Sequence, residues 1–216
     1  MLSCLSDNSI GIIRSMVEQH RSVILEIGPN RSPVYKLKRE SPSLNTYFNM
    51  DDNIEALNQV RIRWATGREV LADMYRAIPL KEESVDEIWL MNVIGENGID
   101  GYNYFEPLML RSGREVFSRP ACILFQEMTR VIKNTGTIYI GEYYTPPQPS
   151  WLTDRDYSQF GLQKKVYMGE RACRTFQREH KLGNEISFGF KDPKQGGNKS
   201  FFLVLKKNQS LSSAYE

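Results

Sequence analysis

Cysteine is scarce in this 216-residue chain: Cys4, Cys122 and Cys173 stand far apart with no CxxC spacing. That excludes a secreted-type disulfide framework and a thiolate zinc centre, so no metal is expected and a reducing, cytoplasmic setting fits best. Charge of one sign is also missing. A formal net charge of +2 creates no broad positive field, so neither nucleic acid nor an anionic membrane is implied as a partner. The clusters Lys36, Lys38, Arg39 and Arg61, Arg63, Arg68 read as solvated faces. No window approaches the roughly 20 apolar residues of a membrane span, and the amino terminus lacks the charged start and apolar core of an export signal. Glycine is sparse where a nucleotide-binding turn would use it: the segment Glu26 to Pro33 holds Gly28 alone, and the fingerprint GxGxxG is absent.

What the chain does have is ordinary globular material, with 40% hydrophobic and 25% charged residues, enough for one substantial domain over 1–208 followed by a loose tail at 209–216. Helical spacing of Ile12, Ile13, Met16 and Val17 predicts a helix over Ser9 to His20. Val23 to Ile27 is a nearly continuous apolar run, as in a strand buried on both faces. Thr46 to Met50 reads as a second strand ending on Asp51. Asn53 to Trp64 follows as a helix with Ile54, Leu57, Val60, Ile62 and Trp64 available for packing. Glu69 to Ala72 is a third strand, closed by Asp73, and Val85 to Val93 a fourth.

The stretch 95–119 lacks a steady period and reads as a long substrate-side connection or lid. An amphipathic helix runs from Ala121 through Ile132, with Asn134 and Gly136 as its stop. Thr137 to Ile140 is a fifth strand. Val166 to His180 reads as a helix with Met168, Ala172 and Phe176 inward, and Ile186 to Phe190 with Phe201 to Leu205 as an antiparallel pair. Alternating strands and helices call for an α/β, doubly wound sheet with its ligand at the carboxyl ends of the strands. Gly28, Asp51, Asp73 and Asn92 all fall at such ends.

Four segments carry a resemblance to a known family. LEIGPN (Leu25 to Asn30) resembles the first cofactor motif of class I S-adenosylmethionine-dependent methyltransferases, type 11-like, and MDDNIEAL (Met50 to Leu57) their second-strand acid. ADMYRAIPLKEESVDEIWLMNVI (Ala72 to Ile94) and FQEMTRVIKNTGTIYIGE (Phe125 to Glu142) look like the later acid, turn, helix and fifth strand. The likeness spans Val23 to Lys206. It implies a Rossmann-like, mostly parallel seven-stranded sheet with an antiparallel C-terminal strand and helices on both faces, S-adenosylmethionine as cofactor and S-adenosylhomocysteine as product.

By that resemblance the cofactor positions are Glu26, Gly28, Asn30, Asp51, Asp52, Asp73, Met74 and Asn92. Asp51 would accept the ribose hydroxyls, Asp73 the adenine amine, and Glu26 the methionine amino group. Asn30 stands where the family has its second glycine, and Asn tolerates a left-handed backbone. Asp86 reads as a turn cap. Proton acceptors are sought at Glu96, Glu142 and His20. Tyr102, Tyr104, Tyr143 and Tyr144, with Phe105 and Trp151, are placed to flank a small-molecule substrate. Asn92 is followed by Val93 and Ile94 instead of a Pro-Pro-aromatic motif, which argues against an exocyclic-amine acceptor. The reading is methyl transfer to an O, N or C atom of a small molecule. The alternative is a protein of the same fold without methyl transfer, either a binding module or a non-methylating cofactor-dependent enzyme; a nicotinamide dehydrogenase lacks its glycine fingerprint here.

Overall fold

The run Val23–Ile27 is apolar except for Glu26, and the sheet is built around it: Ile24, Leu25 and Ile27 are at most 1% exposed, and Glu26 only 2%. In the computed structural model, which describes residues 21–29, 45–64, 67–91, 93–94, 108–109, 115–144, 151–182 and 199–208, this strand, β1, lies between two parallel neighbours. On one side it pairs with β2 (Thr46–Asp51), which pairs in turn with β3 (Gly67–Leu71). On the other it pairs with β4 (Val85–Met91), which pairs with β7 (Ile132–Tyr144). β8 (Leu162–Met168) and β9 (Lys199–Lys207) complete the order β3-β2-β1-β4-β7-β9-β8, with β9 antiparallel to both of its neighbours. The sheet is therefore seven-stranded, mixed and mostly parallel. β5 (Leu108–Met109) and β6 (Glu115–Val116) form a separate antiparallel pair within the long connection.

Period-two alternation splits the buried side chains between two faces. Leu25, Ile27, Ile88, Leu90, Ile138 and Ile140 meet α2 (Arg119–Val131) on one face. That helix buries Ala121, Leu124, Phe125, Met128 and Val131, an i, i+3, i+4, i+7 stripe, and begins where the Ser118 hydroxyl accepts the Ala121 N–H. Phe125 packs edge-on to Tyr157, which donates its hydroxyl to the Leu152 carbonyl of the short helix α3 (Trp151–Asp154). Ile24, Trp89, Tyr139 and Phe202 fill the other face against Cys173 and Phe176 of α4 (Glu170–Glu179). Helices thus cover both faces. None among the described residues is long and apolar enough to cross a membrane.

Several sequence expectations shift. In α1 (Ile54–Trp64), Leu57 and Val60 are buried, but Ile54 and Ile62 are 53% and 79% exposed. The expected helix over 166–180 is divided: its first residues continue β8, leaving Met168 exposed, and α4 starts at Glu170. β8 supplies the antiparallel partner of β9; the expected strand at 186–190 and helix at 9–20 lie outside the described residues. Gly136 is no helix stop. α2 ends at Val131, and β7 starts at once and runs through an irregularity where the register jumps from Val85↔Ile132 to Glu87↔Thr137. A Cβ on Gly136 would lie 2.7 Å from the Ile132 side chain and 2.9 Å from the Asp86 carbonyl.

Candidate functional site

The parallel order reverses on either side of β1, and there the carboxyl ends of adjacent strands diverge enough to admit a ligand. Backbone hydrogen bonds carry the ladders one step past the strands. Gly28 N–H donates to the Met50 carbonyl at 2.8 Å, and Ala72 N–H to the Asp51 carbonyl at 3.0 Å. The ends of β1, β2 and β3 are thereby flush. A cleft of about 200 Å³ opens over them, lined among the described residues by Ile27, Gly28, Met50, Asp51, Asp52, Ala72, Met74, Tyr75 and Val93.

Gly28 has φ +63°, the left-handed region, and a Cβ there would fall 2.7 and 2.9 Å from the two methyls of Val93. Glycine meets both demands, and it brings backbone to the cleft surface. Asp51 turns the chain from β2 into α1: its Oδ1 accepts the Asn53 N–H at 2.8 Å, while Asn53 Oδ1 accepts the Glu55 N–H at 2.9 Å. Burial pushes the Asp51 carboxyl above the ordinary aspartate range, opposed by the Asn53 N–H and reinforced by the Asp52 charge. The wall beyond β3 is held from a distance. Arg130 on α2 donates to the carbonyls of Ile78 and Leu80 at 2.7 and 3.0 Å, and Glu127 Oε2 accepts the Ile78 N–H at 2.9 Å.

Of the expected cofactor positions, Gly28, Asp51, Asp52 and Met74 meet at this cleft. Asp73 is turned into its own loop: one oxygen accepts the Tyr75 N–H at 2.8 Å and the other pairs with Arg76 at 3.3 Å. Glu26 is buried on the face of β1 opposite Ile27, in register with the buried Asn49. Asp86 sits at the far, amino-terminal edge, where it accepts the Val23 N–H and binds Lys133, each at 2.8 Å. Glu142 is buried, with Oε1 accepting the N–H groups of Val93 and Ile94 at 2.8 and 2.7 Å. Tyr143 and Tyr144 end β7. His20, Asn30, Asn92, Glu96, Tyr102, Tyr104 and Phe105 lie outside the described residues. Tyr75 and Val93 were not anticipated as lining. Tyr75 had a signal, an aromatic two residues past a strand-end acid; Val93 had none, because its role depends on a contact with Gly28. No group of His, Cys, Asp and Glu among the described residues could hold a metal ion.

This strand order, with an antiparallel β9 and a switch-point cleft at Gly28, is the fold of the class I S-adenosylmethionine-dependent methyltransferases. Among solved structures, a TehB-like S-adenosylmethionine-dependent methyltransferase from Corynebacterium glutamicum superposes with a TM-score of 0.53 at 13% identity, covering 91% of this chain and 85% of that one. The [4+2]-cyclase SpnF gives 0.53 at 13% identity over 93% and 81% of the two chains. Phosphoethanolamine N-methyltransferase 2 from Haemonchus contortus, solved with S-adenosylhomocysteine, gives 0.50 at 12% identity over 94% and 53%. No protein-family model matches the chain, and no curated protein matches it in sequence.

Proposed function

We propose that the cleft binds S-adenosylmethionine and that the protein transfers its methyl group to an O, N or C atom of a small molecule. One observation carries this reading: the left-handed Gly28 turn, the Asp51 carboxylate and the Met74–Tyr75 wall form one continuous surface across three strand ends. The chemistry of that surface fits the cofactor. Backbone exposed at Gly28 can approach the methionine end, Asp51 can accept from a ribose diol, and Ile27, Met50, Met74 and Tyr75 offer apolar and polarizable contact to a purine.

S-adenosylmethionine supplies a methyl carbon activated by the adjoining sulfonium; as the acceptor's lone pair bonds to that carbon, the C–S bond breaks and its electrons stay on sulfur. The protein's task in such a displacement is alignment and exclusion of water. Gly28 and Val93 would form the floor beneath the cofactor, and Asp51 would orient it from the ribose side. Calorimetric titration with S-adenosylmethionine and S-adenosylhomocysteine tests the binding. Transfer of labelled methyl to a small-molecule extract tests the reaction.

The second reading, a binding module or non-methylating enzyme on the same fold, has one specific support. The [4+2]-cyclase SpnF superposes with the same TM-score as the TehB-like methyltransferase. Cofactor binding without label transfer would favour it.

A further inference from the structure

We propose that Glu142 is a positioning residue of this cleft: its carboxylate fixes the turn after β4 and, through Val93, the seat of the Gly28 turn. The inference rests on the cofactor reading above. β4 and β7 pair as far as Met91↔Gly141, so Glu142 is the next residue after the last paired one. There β4 has left its strand path, and the N–H groups of Val93 and Ile94 have passed beyond the ladder. Glu142 Oε1 takes the place of the missing strand carbonyls and accepts both, at 2.8 and 2.7 Å.

The group is buried, 4% exposed, as is Ile94 at 6%. Bonds from backbone N–H to a buried carboxylate are charge-assisted, and either donor left alone would be costly. Val93, so anchored, presents its methyls against Gly28, where even one added carbon would overlap them. Three neighbouring strand ends are thus linked in a line, Glu142 to Val93 to Gly28. Glu142 does not line the cleft; its influence on the cofactor passes through Val93. A residue first sought as a proton acceptor acts here as an anchor, its Oε1 already committed to two donors.

Reach and charge give opposite expectations for two conservative variants. In E142Q the amide oxygen still accepts both N–H groups, so S-adenosylhomocysteine affinity by calorimetry stays within about threefold of wild type. In E142D the charge remains but the carboxylate is withdrawn by one methylene; affinity falls about tenfold or more, and amide exchange at Val93 and Ile94 accelerates. Equal binding by E142D and wild type, or a loss in E142Q as large as in E142D, overturns the proposal. A wild-type protein that binds no S-adenosylhomocysteine overturns the cofactor reading instead. In that case exchange at Val93 and Ile94 decides the anchor: acceleration in E142D with protection in E142Q supports it, and equal protection in both refutes it.

Discussion

Replacing Gly28 with alanine adds one carbon at the junction of β1, β4 and the cleft, and its cost separates into two parts. Backbone is the first: at φ +63° an L-residue is held in the left-handed region at about 1–2 kcal/mol. Overlap is the second. The new Cβ would stand 2.7 Å from Val93 Cγ2 and 2.9 Å from Cγ1, about 1 Å inside ordinary carbon–carbon contact. Valine is stiff at χ1, and here its N–H is tied to Glu142, so neither rotation nor backbone retreat relieves the overlap freely. Overpacking of this kind costs about 1–3 kcal/mol, for a total of about 2–5 kcal/mol.

The molecule contains its own control. Gly161 has φ +68°, close to that of Gly28, but nothing lies within 4 Å of a Cβ built there. Urea denaturation of Gly161→Ala should show the backbone part alone, about 1–2 kcal/mol. The excess in Gly28→Ala then measures the overlap. Val93→Ala in the Gly28→Ala background should recover most of that excess, an interaction of about 1–3 kcal/mol in the double-mutant cycle. If Gly28→Ala and Gly161→Ala cost the same, or if the Val93 substitution recovers nothing, the packed junction is refuted.

Asp51→Asn should weaken S-adenosylhomocysteine by about 10- to 100-fold in calorimetry, the loss of charge-assisted acceptance from two hydroxyls. Because burial raises the folded-state pKa of Asp51, the charged form is disfavoured by folding, and that group's contribution to stability declines as pH rises through the raised value. The same variant should therefore melt slightly higher than wild type at neutral pH, with no difference below the unfolded-state pKa. Arg130→Ala removes the guanidinium from Glu127, which keeps the Ile78 N–H, from the Ile78 carbonyl, which keeps the Leu80 N–H, and from the Leu80 carbonyl; it should cost about 1–2 kcal/mol in denaturant, with Arg130→Lys a poor rescue because one ammonium cannot span the fork. Arg130 holds the Glu127 carboxyl below its ordinary range. The stability this gives is present above the unfolded carboxylate pKa and lost as pH falls through the lowered one, so the acid limb of the stability profile should flatten in Arg130→Ala. Asp86→Ala should cost about 1–3 kcal/mol by stranding the Val23 N–H while leaving S-adenosylhomocysteine affinity unchanged, since Asp86 lies at the opposite edge of the sheet from the cleft.

The parallel strands and a ligand at their carboxyl ends follow from pattern: β1 is buried on both faces, with Glu26 its one charged residue, and Gly28, Asp51 and Asp73 punctuate strand ends; the seven-stranded sheet with its antiparallel strand came from the family resemblance. The errors came where local pattern and tertiary context disagree. Leu162–Met168 carries polar residues at Gln163, Lys164 and Lys165 that no strand period singles out; its pairing with β9 at the sheet edge, where side chains can reach water, makes it a strand. Ile54 and Ile62 face outward because at about 100° per residue Ile62 lies about 140° around α1 from Leu57, and the helix packs only its Leu57–Val60 side toward β2 and the edge strand β3. Asn134–Gly136 looks like a helix stop, but the close approach of Asp86 and Ile132 places that glycine inside β7.

The acids show the limit most clearly. Asp51, Asp73, Asp86 and Glu142 all lie at or near strand ends, and sequence alone offers Asp51, Asp73 and Glu142 to the site while reading Asp86 as a turn cap. What separates them is which backbone donors come within reach after folding. Val23 claims Asp86, Val93 and Ile94 claim Glu142, and Tyr75 with Arg76 claims Asp73. Asp51 also accepts a backbone N–H, but it does so while lining the cleft beside Asp52. Of these four acids only Asp51 lines the cleft, so the proposed recognition of a ribose diol rests on it, while Glu142 acts on the cleft through Val93 and Asp86 holds the opposite edge of the sheet.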